Sequence, residues 1–165
     1  MRFLSSLVLL CALLCVHPLQ AKTFAIPSDN PLATVTIPNS WEPNEYDIGV
    51  EGTSKDGQFY FAFEALERKD SKHAFVEAMT WFKKQGVDLD VNSQTSNEVE
   101  IAGMPSFLVS FKGKDKDGPT NVTVVIVSTH KKDRFLLIYG WGSDSADQAN
   151  RKEIDKILSS LVLKK

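Results

Sequence analysis

The stretch that decides the fold is Gln58–Leu66, which reads QFYFAFEAL. In an extended chain, successive side chains point to opposite faces. One face is wholly apolar, with Phe59, Phe61, Phe63 and Ala65. The other face is apolar apart from one carboxylate, with Tyr60, Ala62, Glu64 and Leu66. Because neither face is polar, the stretch predicts a strand that is covered on both sides.

A tight turn connects this strand to the one before it. Asp56-Gly57 supplies the positive backbone φ that a short hairpin turn requires, so Tyr46–Thr53 and Gln58–Glu67 are expected to pair antiparallel. A second hairpin is predicted around the charged run Lys114–Gly118. Its strands are Ser106–Lys112 and Asn121–Thr129.

Other strands complete the predicted sheet. The strand Arg134–Trp141 follows the second hairpin. Its centre, Phe135–Tyr139, and the centre of the preceding strand, Val122–Val127, are again apolar on both faces. The remaining predicted strands are an edge strand in the entry segment Lys22–Asn30, Ala33–Ile37 and Glu98–Ile101.

Two helices are predicted from apolar stripes at intervals of three and four residues. The first begins after Asp70 or Ser71 and ends before Gly86, with Phe75, Ala78, Met79 and Phe82 on its apolar face. The second is capped at Ser145, where Ser145–Gln148 fits a capping box, and carries the stripe Ile154, Ile157, Leu158 and Leu161.

These elements predict the fold class and the number of domains. Turn-linked strands form antiparallel sheets, and central strands that are apolar on both faces need a layer on each side. The sequence therefore predicts an α+β protein, an α-β-α sandwich around a six- or seven-stranded antiparallel sheet. Residues 22–165 contain no repeat or linker and are expected to form one domain.

The first 21 residues have the composition of a secretory signal peptide. A single charge, Arg2, precedes an apolar stretch from Leu7 to Val16, and Ala21 offers a small residue at a cleavage site. Residues 1–21 are therefore expected to be removed on export to the periplasm or the medium. The apolar stretch is shorter than the roughly 20 residues that span a bilayer, so no transmembrane segment is expected in the mature chain.

Cysteine content and charge exclude several function classes for that mature chain. Both cysteines, Cys11 and Cys15, fall inside the leader, which excludes disulfides, cysteine-based zinc sites and thiol catalysis. Loss of Arg2 takes the net charge from −2 to −3. A mildly acidic domain does not fit an electrostatic nucleic-acid binder.

Three short motifs resemble PsbP-like domains. The segment Ile37–Trp41 (IPNSW) is similar to their strand–Pro–x–x–Trp opening. Ile101–Pro105 (IAGMP) resembles the turn before their central strands, and Ile154–Leu161 (IDKILSSL) resembles their closing helix. The resemblance covers nearly all of residues 32–162. It implies an α-β-α sandwich and a binding or assembly role, as in bacterial envelope proteins of the DcrB type, and it supplies no catalytic residues.

Metal, cofactor and catalytic motifs are weak or absent in the sequence. Asp88, Asp90 and Asn92 alternate as calcium ligands do, but the loop lacks the glycine and final glutamate of an EF-hand, so ion binding there stays an open alternative. His73 and His130 belong to no zinc motif. No metal and no cofactor is predicted, since phosphate-binding loops and a nucleophile elbow are also missing from the sequence.

Aromatic residues near strand ends are the best candidates for binding. Trp41 and Tyr46 flank a loop-like stretch, and Trp141 ends the last long strand. Tryptophan and tyrosine are favoured at binding hot spots, although many tryptophans at strand ends only close the core. The sequence therefore predicts an exported, non-catalytic binding or assembly protein of the bacterial cell envelope, whose partner is another envelope protein contacted by Trp41, Tyr46 and Trp141.

Two alternatives remain open at this stage. A small exported acidic domain also suits a periplasmic immunity-type inhibitor of a basic toxin. A small hydrolase would require Glu64 or a histidine beside a second titratable group in a pocket. Glu64 is unusual because a carboxylate in a buried strand needs a partner, and the simplest explanation is an edge position that the helix does not cover.

Overall fold

A computed structural model describes residues 20–165 of the chain. Two helices are present in this part, α1 (Ser71–Lys84) and α2 (Asp144–Ser159), with a single 3-10 turn at Asn39–Trp41. The strands in chain order are β1 (Ala21–Ile26), β2 (Ala33–Pro38), β3 (Asn44–Tyr46), β4 (Gly49–Thr53), β5 (Phe59–Glu67), β6 (Asp88–Ile101), β7 (Met104–Asp115), β8 (Gly118–Ser128), β9 (Arg134–Gly142) and β10 (Val162–Leu163).

The predicted α+β sandwich is confirmed, and its central layer is a seven-stranded antiparallel sheet of order β3-β4-β5-β9-β8-β7-β6. Helix α1 packs on one face and α2 on the other. The first two strands do not join this sheet. With β10 they form a separate three-stranded sheet, β1-β2-β10, on the same side as α2.

The two apolar faces of β5 fill two separate cores. Phe61 and Phe63 belong to the core beneath α2 and the small sheet, whereas Ala62 and Leu66 belong to the core beneath α1. Alternation along the strand produces this division, because each face contacts a different layer. The covered strand predicted from Gln58–Leu66 is therefore the centre of the fold.

Several predicted strands have different bounds in the structure, and two of the differences are large. The strands of the second hairpin, expected at Ser106–Lys112 and Asn121–Thr129, are longer and meet at a tighter turn. Tyr46–Thr53 is a hairpin of two strands, because the chain turns at Asp47-Ile48 and pairs Tyr46 with Gly49. The strand expected only at Glu98–Ile101 extends back to Asp88 as β6. Its sequence lacks apolar alternation because β6 lies at the edge of the sheet and most of its side chains face solvent.

Helix α2 begins two residues earlier than its capping box indicates. The Ser143 hydroxyl, not that of Ser145, accepts a hydrogen bond from the backbone N–H of Ala146 at 3.2 Å. Strand β9 remains paired through Gly142, so Ser143 is the first residue free to cap the helix. Asp144 and Asp147 in the first turn add charges that favour the helix dipole.

The position of this cap can be tested by two single substitutions. Ser143→Ala is expected to lower the free energy of unfolding by about 1 kcal/mol, because a backbone N–H loses its partner. Ser145→Ala is the matched control and is expected to cost clearly less. Urea unfolding of both variants measures the difference, and a larger loss at Ser145 would show that the sequence-based cap was correct.

The predicted signal peptide lies almost wholly outside the described residues. Only its last two residues, Gln20 and Ala21, are described, and Ala21 opposite Pro38 opens β1. Within residues 20–165, neither helix combines the length and apolarity that crossing a bilayer requires.

Candidate binding site

One end of the α1 side of the sheet is not covered by the helix. Helix α1 packs mainly over β6, β8 and β9, which leaves the end formed by β3, β4 and β5 beside it. Tyrosines and glutamates are prominent at this end. We call Tyr46, Tyr60, Glu51 and Glu64, together with the buried Tyr139 of the neighbouring strand β9, the tyrosine–glutamate face, which includes all three tyrosines of the chain.

Glu64 is the centre of this face. Both Tyr46 and Tyr139 donate their hydroxyl hydrogens to its Oε1 atom, at 2.6 Å and 2.8 Å. Among residues 20–165, no group donates a hydrogen bond to the Oε2 atom of Glu64. Strand β5 lies between β4 and β9, so the edge position expected for Glu64 is wrong. The carboxylate is tolerated there because two phenols solvate it and the helix leaves it partly exposed.

A glycine lets Tyr46 reach Glu64 across an intervening strand. Gly49 of β4 lies in the same cross-strand row, paired with Tyr46 on one side and Glu64 on the other. A Cβ atom at position 49 would lie 2.0 Å from the carbonyl oxygen of Phe63. No other residue fits this position without moving the backbone, so the close pairing of β4 with β5 in this row requires glycine.

A second carboxylate lies in the next row of the sheet with the same kind of partner. Glu51 accepts a hydrogen bond from the Tyr60 hydroxyl at 2.6 Å and another from the Asn44 side-chain amide at 3.0 Å. The repetition gives two carboxylates, each held in place by neutral donors. Hydrogen bonds to an ionised acceptor are stronger than neutral ones, so both side chains are well oriented.

The tyrosines act as hydrogen-bond donors and remain neutral. Burial is the largest cause that raises the pKa of Tyr46, Tyr60 and Tyr139 above the usual value, and the negative charges of Glu64 and Glu51 raise it further. A phenolate beside a carboxylate in a partly desolvated site is unfavourable. The three phenols therefore do not serve as bases near neutral pH.

Within the described part of the chain, neither glutamate of the face has a cationic partner. The ion pairs there involve other carboxylates, for example Glu77 with Arg68. The hydrogen-bond donors to these two carboxylates are neutral phenols and an amide, so the two negative charges leave a negative potential at this end of the sheet. Such a surface attracts a positively charged group.

Aromatic side chains border the face where it meets α1. The rings of Tyr60 and Trp141 are 4.2 Å apart, and Trp81 of α1 lies 4.9 Å from Tyr139 and 5.6 Å from Trp141. A cavity of about 270 Å³ opens beside Trp81 and Tyr139, between α1 and the end of the sheet that carries Tyr46 and Glu64. It is lined by Tyr46, Ile48, Glu64, Leu66, Glu77, Ala78, Trp81, Phe82, Leu137 and Tyr139. Aromatic faces favour cations, so the aromatic rings and the Glu64 carboxylate both favour a positively charged group in this cavity.

The structure separates the three aromatic residues that the sequence nominated. Tyr46 and Trp141 lie half-buried on the α1 side of the sheet, in and beside the tyrosine–glutamate face. Trp41 lies on the other side and is 0% exposed, so its predicted surface position is wrong. The 3-10 turn directs its indole inward, where Nε1 donates to Glu153 of α2 at 2.5 Å.

Sequence reasoning did not identify Tyr60, Tyr139 or Glu51 as parts of the site. One signal was available, since a strand apolar on both faces contained a single carboxylate, Glu64, that needed donors. Its partners are 18 and 75 residues away in sequence, and only the register of the strands shows which tyrosines reach it.

The other candidate groups lie outside this pocket. His73 is exposed in the first turn of α1, where its Nδ1 is 2.7 Å from an oxygen of Asp70, and His130 is exposed after β8. The condition set for a hydrolase is met in part: Glu64 shares a pocket with the titratable groups Glu77, Tyr46 and Tyr139, but no histidine lines that pocket. Asp88, Asp90 and Asn92 are exposed on β6, and the Asp90 carboxylate accepts the backbone N–H of Asn92 at a register shift of the strand.

Solved structures that include PsbP share this fold. Among solved structures, the chain is similar to cyanobacterial PsbP (CyanoP) from Synechocystis, with a TM-score of 0.59 and 8% identity over 91% of this chain and 96% of that one. It is also similar to the Saccharomyces cerevisiae Ran-binding protein Mog1p, with a TM-score of 0.51 and 10% identity over 88% of this chain and 96% of that one.

A third similar structure is LpqN of Mycobacterium tuberculosis, described as involved in cell envelope biogenesis. The TM-score is 0.52 and the identity 9%, over 88% of this chain and 92% of that one. The sequence matches no protein-family model and no curated protein. The PsbP-like resemblance found in the motifs is thus confirmed at the level of the fold.

Proposed function

We propose that this chain is an exported, non-catalytic binding or assembly protein of the bacterial cell envelope. Its partner is another envelope protein, which presents a basic group to the tyrosine–glutamate face. The observation that carries the proposal is the state of Glu64: a carboxylate held by two tyrosine hydroxyls, without a counter-cation in residues 20–165, on the floor of an aromatic cavity.

The chemistry of the face favours binding over catalysis. Its phenols keep their protons, and both histidines lie elsewhere, so the pocket offers a fixed negative charge and flat aromatic surfaces. Such groups recognise a lysine or arginine side chain by charge and cation–π contact. Mog1p is described as a Ran-binding protein and LpqN as involved in envelope biogenesis, so the same fold occurs in proteins with roles of this kind.

The charge of Glu64 is expected to determine partner affinity. Glu64→Gln keeps an oxygen that accepts from Tyr46 and Tyr139 but removes the charge. We expect the variant to fold normally and to bind the partner at least about 30-fold more weakly, which corresponds to about 2 kcal/mol for a partly buried charge pair. The partner is first isolated by crosslinking in native envelopes with the wild-type chain, and the affinity is then measured with purified proteins.

Glu100→Gln is the matched control for this experiment. Glu100 is exposed on β6, at the opposite edge of the sheet, and its substitution makes the same change in net charge. The proposal expects this variant to bind as the wild type does. Equal affinities for wild type and Glu64→Gln, or equal losses in both variants, would show that the partner does not read the charge of this face.

A further inference from the structure

A second cavity, of about 240 Å³, lies between α2 and the opposite face of the sheet. Its floor consists of Phe59, Phe61 and Phe63 of β5, and Ile154 and Leu158 of α2 form its roof. Its lining is mainly apolar. Protein cores are close-packed and rarely contain spaces much larger than a water molecule, so this volume calls for a physical cause.

The cause is the small size of the side chains where the two layers meet. From Ser143 to Glu153, the only apolar residues of the helix region are Ala146 and Ala149. Of these two, Ala146 is buried and Ala149 is exposed. Strand β9 presents Gly140 and Gly142 to the α2 side, and the Phe59 ring lies across both glycines. Apart from that ring, no large apolar side chain of β9 or of the first half of α2 fills the space, and the apolar stripe of the second half of α2 forms the roof.

Polar groups form one end of the cavity and are already satisfied. Arg151 pairs with Asp147 one turn earlier on α2, and Asn121 donates to Asp144. Arg151 and Asp147 line the cavity and reach solvent, so they mark its rim. Because the cation at the rim is neutralised by its own neighbour, the rim does not select a strongly charged ligand, and the apolar interior dominates recognition.

We propose that this cavity binds the unbranched alkyl chain of a single-chain amphiphile, with the polar head group at the Asp147–Arg151 rim. Apolar cavities exclude water and take apolar ligands, because the walls offer no hydrogen bonds. The volume lies below the roughly 300–1,000 Å³ of typical pockets for drug-sized ligands, so the cavity has room for one alkyl chain and not for a two-chain lipid.

The first test measures affinity against chain length. The purified protein is titrated calorimetrically with hexanoyl-, octanoyl- and decanoylglycerol, each below its micellar concentration. Each additional CH₂ buried in the cavity is expected to tighten binding about fourfold. Decanoate is expected to bind no more than a few-fold differently from decanoylglycerol, since the rim carries no free cation. Absence of saturable binding, or affinity independent of chain length, would overturn the proposal.

Variants that fill the cavity test whether the alkyl chain of the ligand binds there. Val125 of β8 lines it, and Val125→Phe is expected to fill the space and weaken decanoylglycerol binding more than tenfold. Ile154→Phe fills it from the roof and replaces Val125→Phe if that variant fails to fold. Val76→Phe, at an exposed position of α1, is the matched control and is expected to bind like the wild type. Unchanged binding in both filled variants would place the ligand elsewhere. Glu64→Gln is expected to bind decanoylglycerol normally, because the two sites lie on opposite sides of the sheet.

Discussion

Replacing Trp41 with alanine is expected to lower the free energy of unfolding by about 4 kcal/mol, within the range for a fully buried tryptophan. The indole packs against Phe61 and Phe59, with ring centroids 5.1 Å and 6.3 Å away, and its N–H donates to Glu153. Alanine would remove these contacts and leave a hole in the core beneath α2. Urea unfolding measures the loss.

Two further variants test the position of Trp41. Trp41→Phe keeps one aromatic ring in the core but loses the donor to Glu153 and part of the indole volume, so its loss is expected to be smaller than that of Trp41→Ala and at least about 1 kcal/mol. Trp141→Ala removes a half-buried indole and is expected to destabilise less than Trp41→Ala. If Trp41→Ala lost less than about 1 kcal/mol, the indole would lie on the surface, as the sequence alone suggested.

The second large effect is expected at alkaline pH. The folded state raises the pKa of all three tyrosines, whereas an unfolded tyrosine ionises near pH 10. Above about pH 10 the unfolded chain releases protons that the folded chain retains, so stability falls as pH rises. Three groups give a slope of up to about 4 kcal/mol per pH unit, and below pH 10 they contribute no pH dependence.

Tyrosinate absorbance and circular dichroism, followed together, check this expectation. The absorbance is expected to rise mainly as the fold is lost, because the folded state holds the pKa of all three tyrosines above the usual value. Tyr60→Phe removes one ionising group, and the slope of stability against pH is expected to fall by about one third of the tyrosine contribution. Reversible ionisation near pH 10 with an intact fold would contradict the hydrogen-bonded arrangement of the tyrosine–glutamate face.

The sequence predicted the layers of this fold because burial leaves a periodic pattern. β5, β8 and β9 are apolar on both faces, and α1 has a clear apolar stripe. It did not predict the full length of β6, because an exposed edge strand has no covered face to impose alternation. It also gave no reason to place β1 and β2 outside the main sheet, since a short alternating strand looks the same in either sheet.

The candidate site was less predictable because its residues meet only through strand register. Tyr46 was nominated as a surface aromatic, but its bond to Glu64 depends on the two-residue turn between β3 and β4 and on Gly49 between them. Trp41 was nominated for the same reason as Trp141. The 3-10 turn after Pro38 instead directs its side chain toward α2, 112 residues further along the chain.

Photo-crosslinking tests most directly whether the end of the sheet beside α1 is the binding surface. A photoreactive amino acid replaces Ile48, which lines the same cavity as Glu64, or Phe107, on the distant strand β7. These two side chains are 42% and 41% exposed, which matches the sites for accessibility. We expect a discrete crosslinked envelope protein from position 48 that disappears with Glu64→Gln, and none from position 107. Crosslinks of equal yield at both positions, or at 107 alone, would contradict the account.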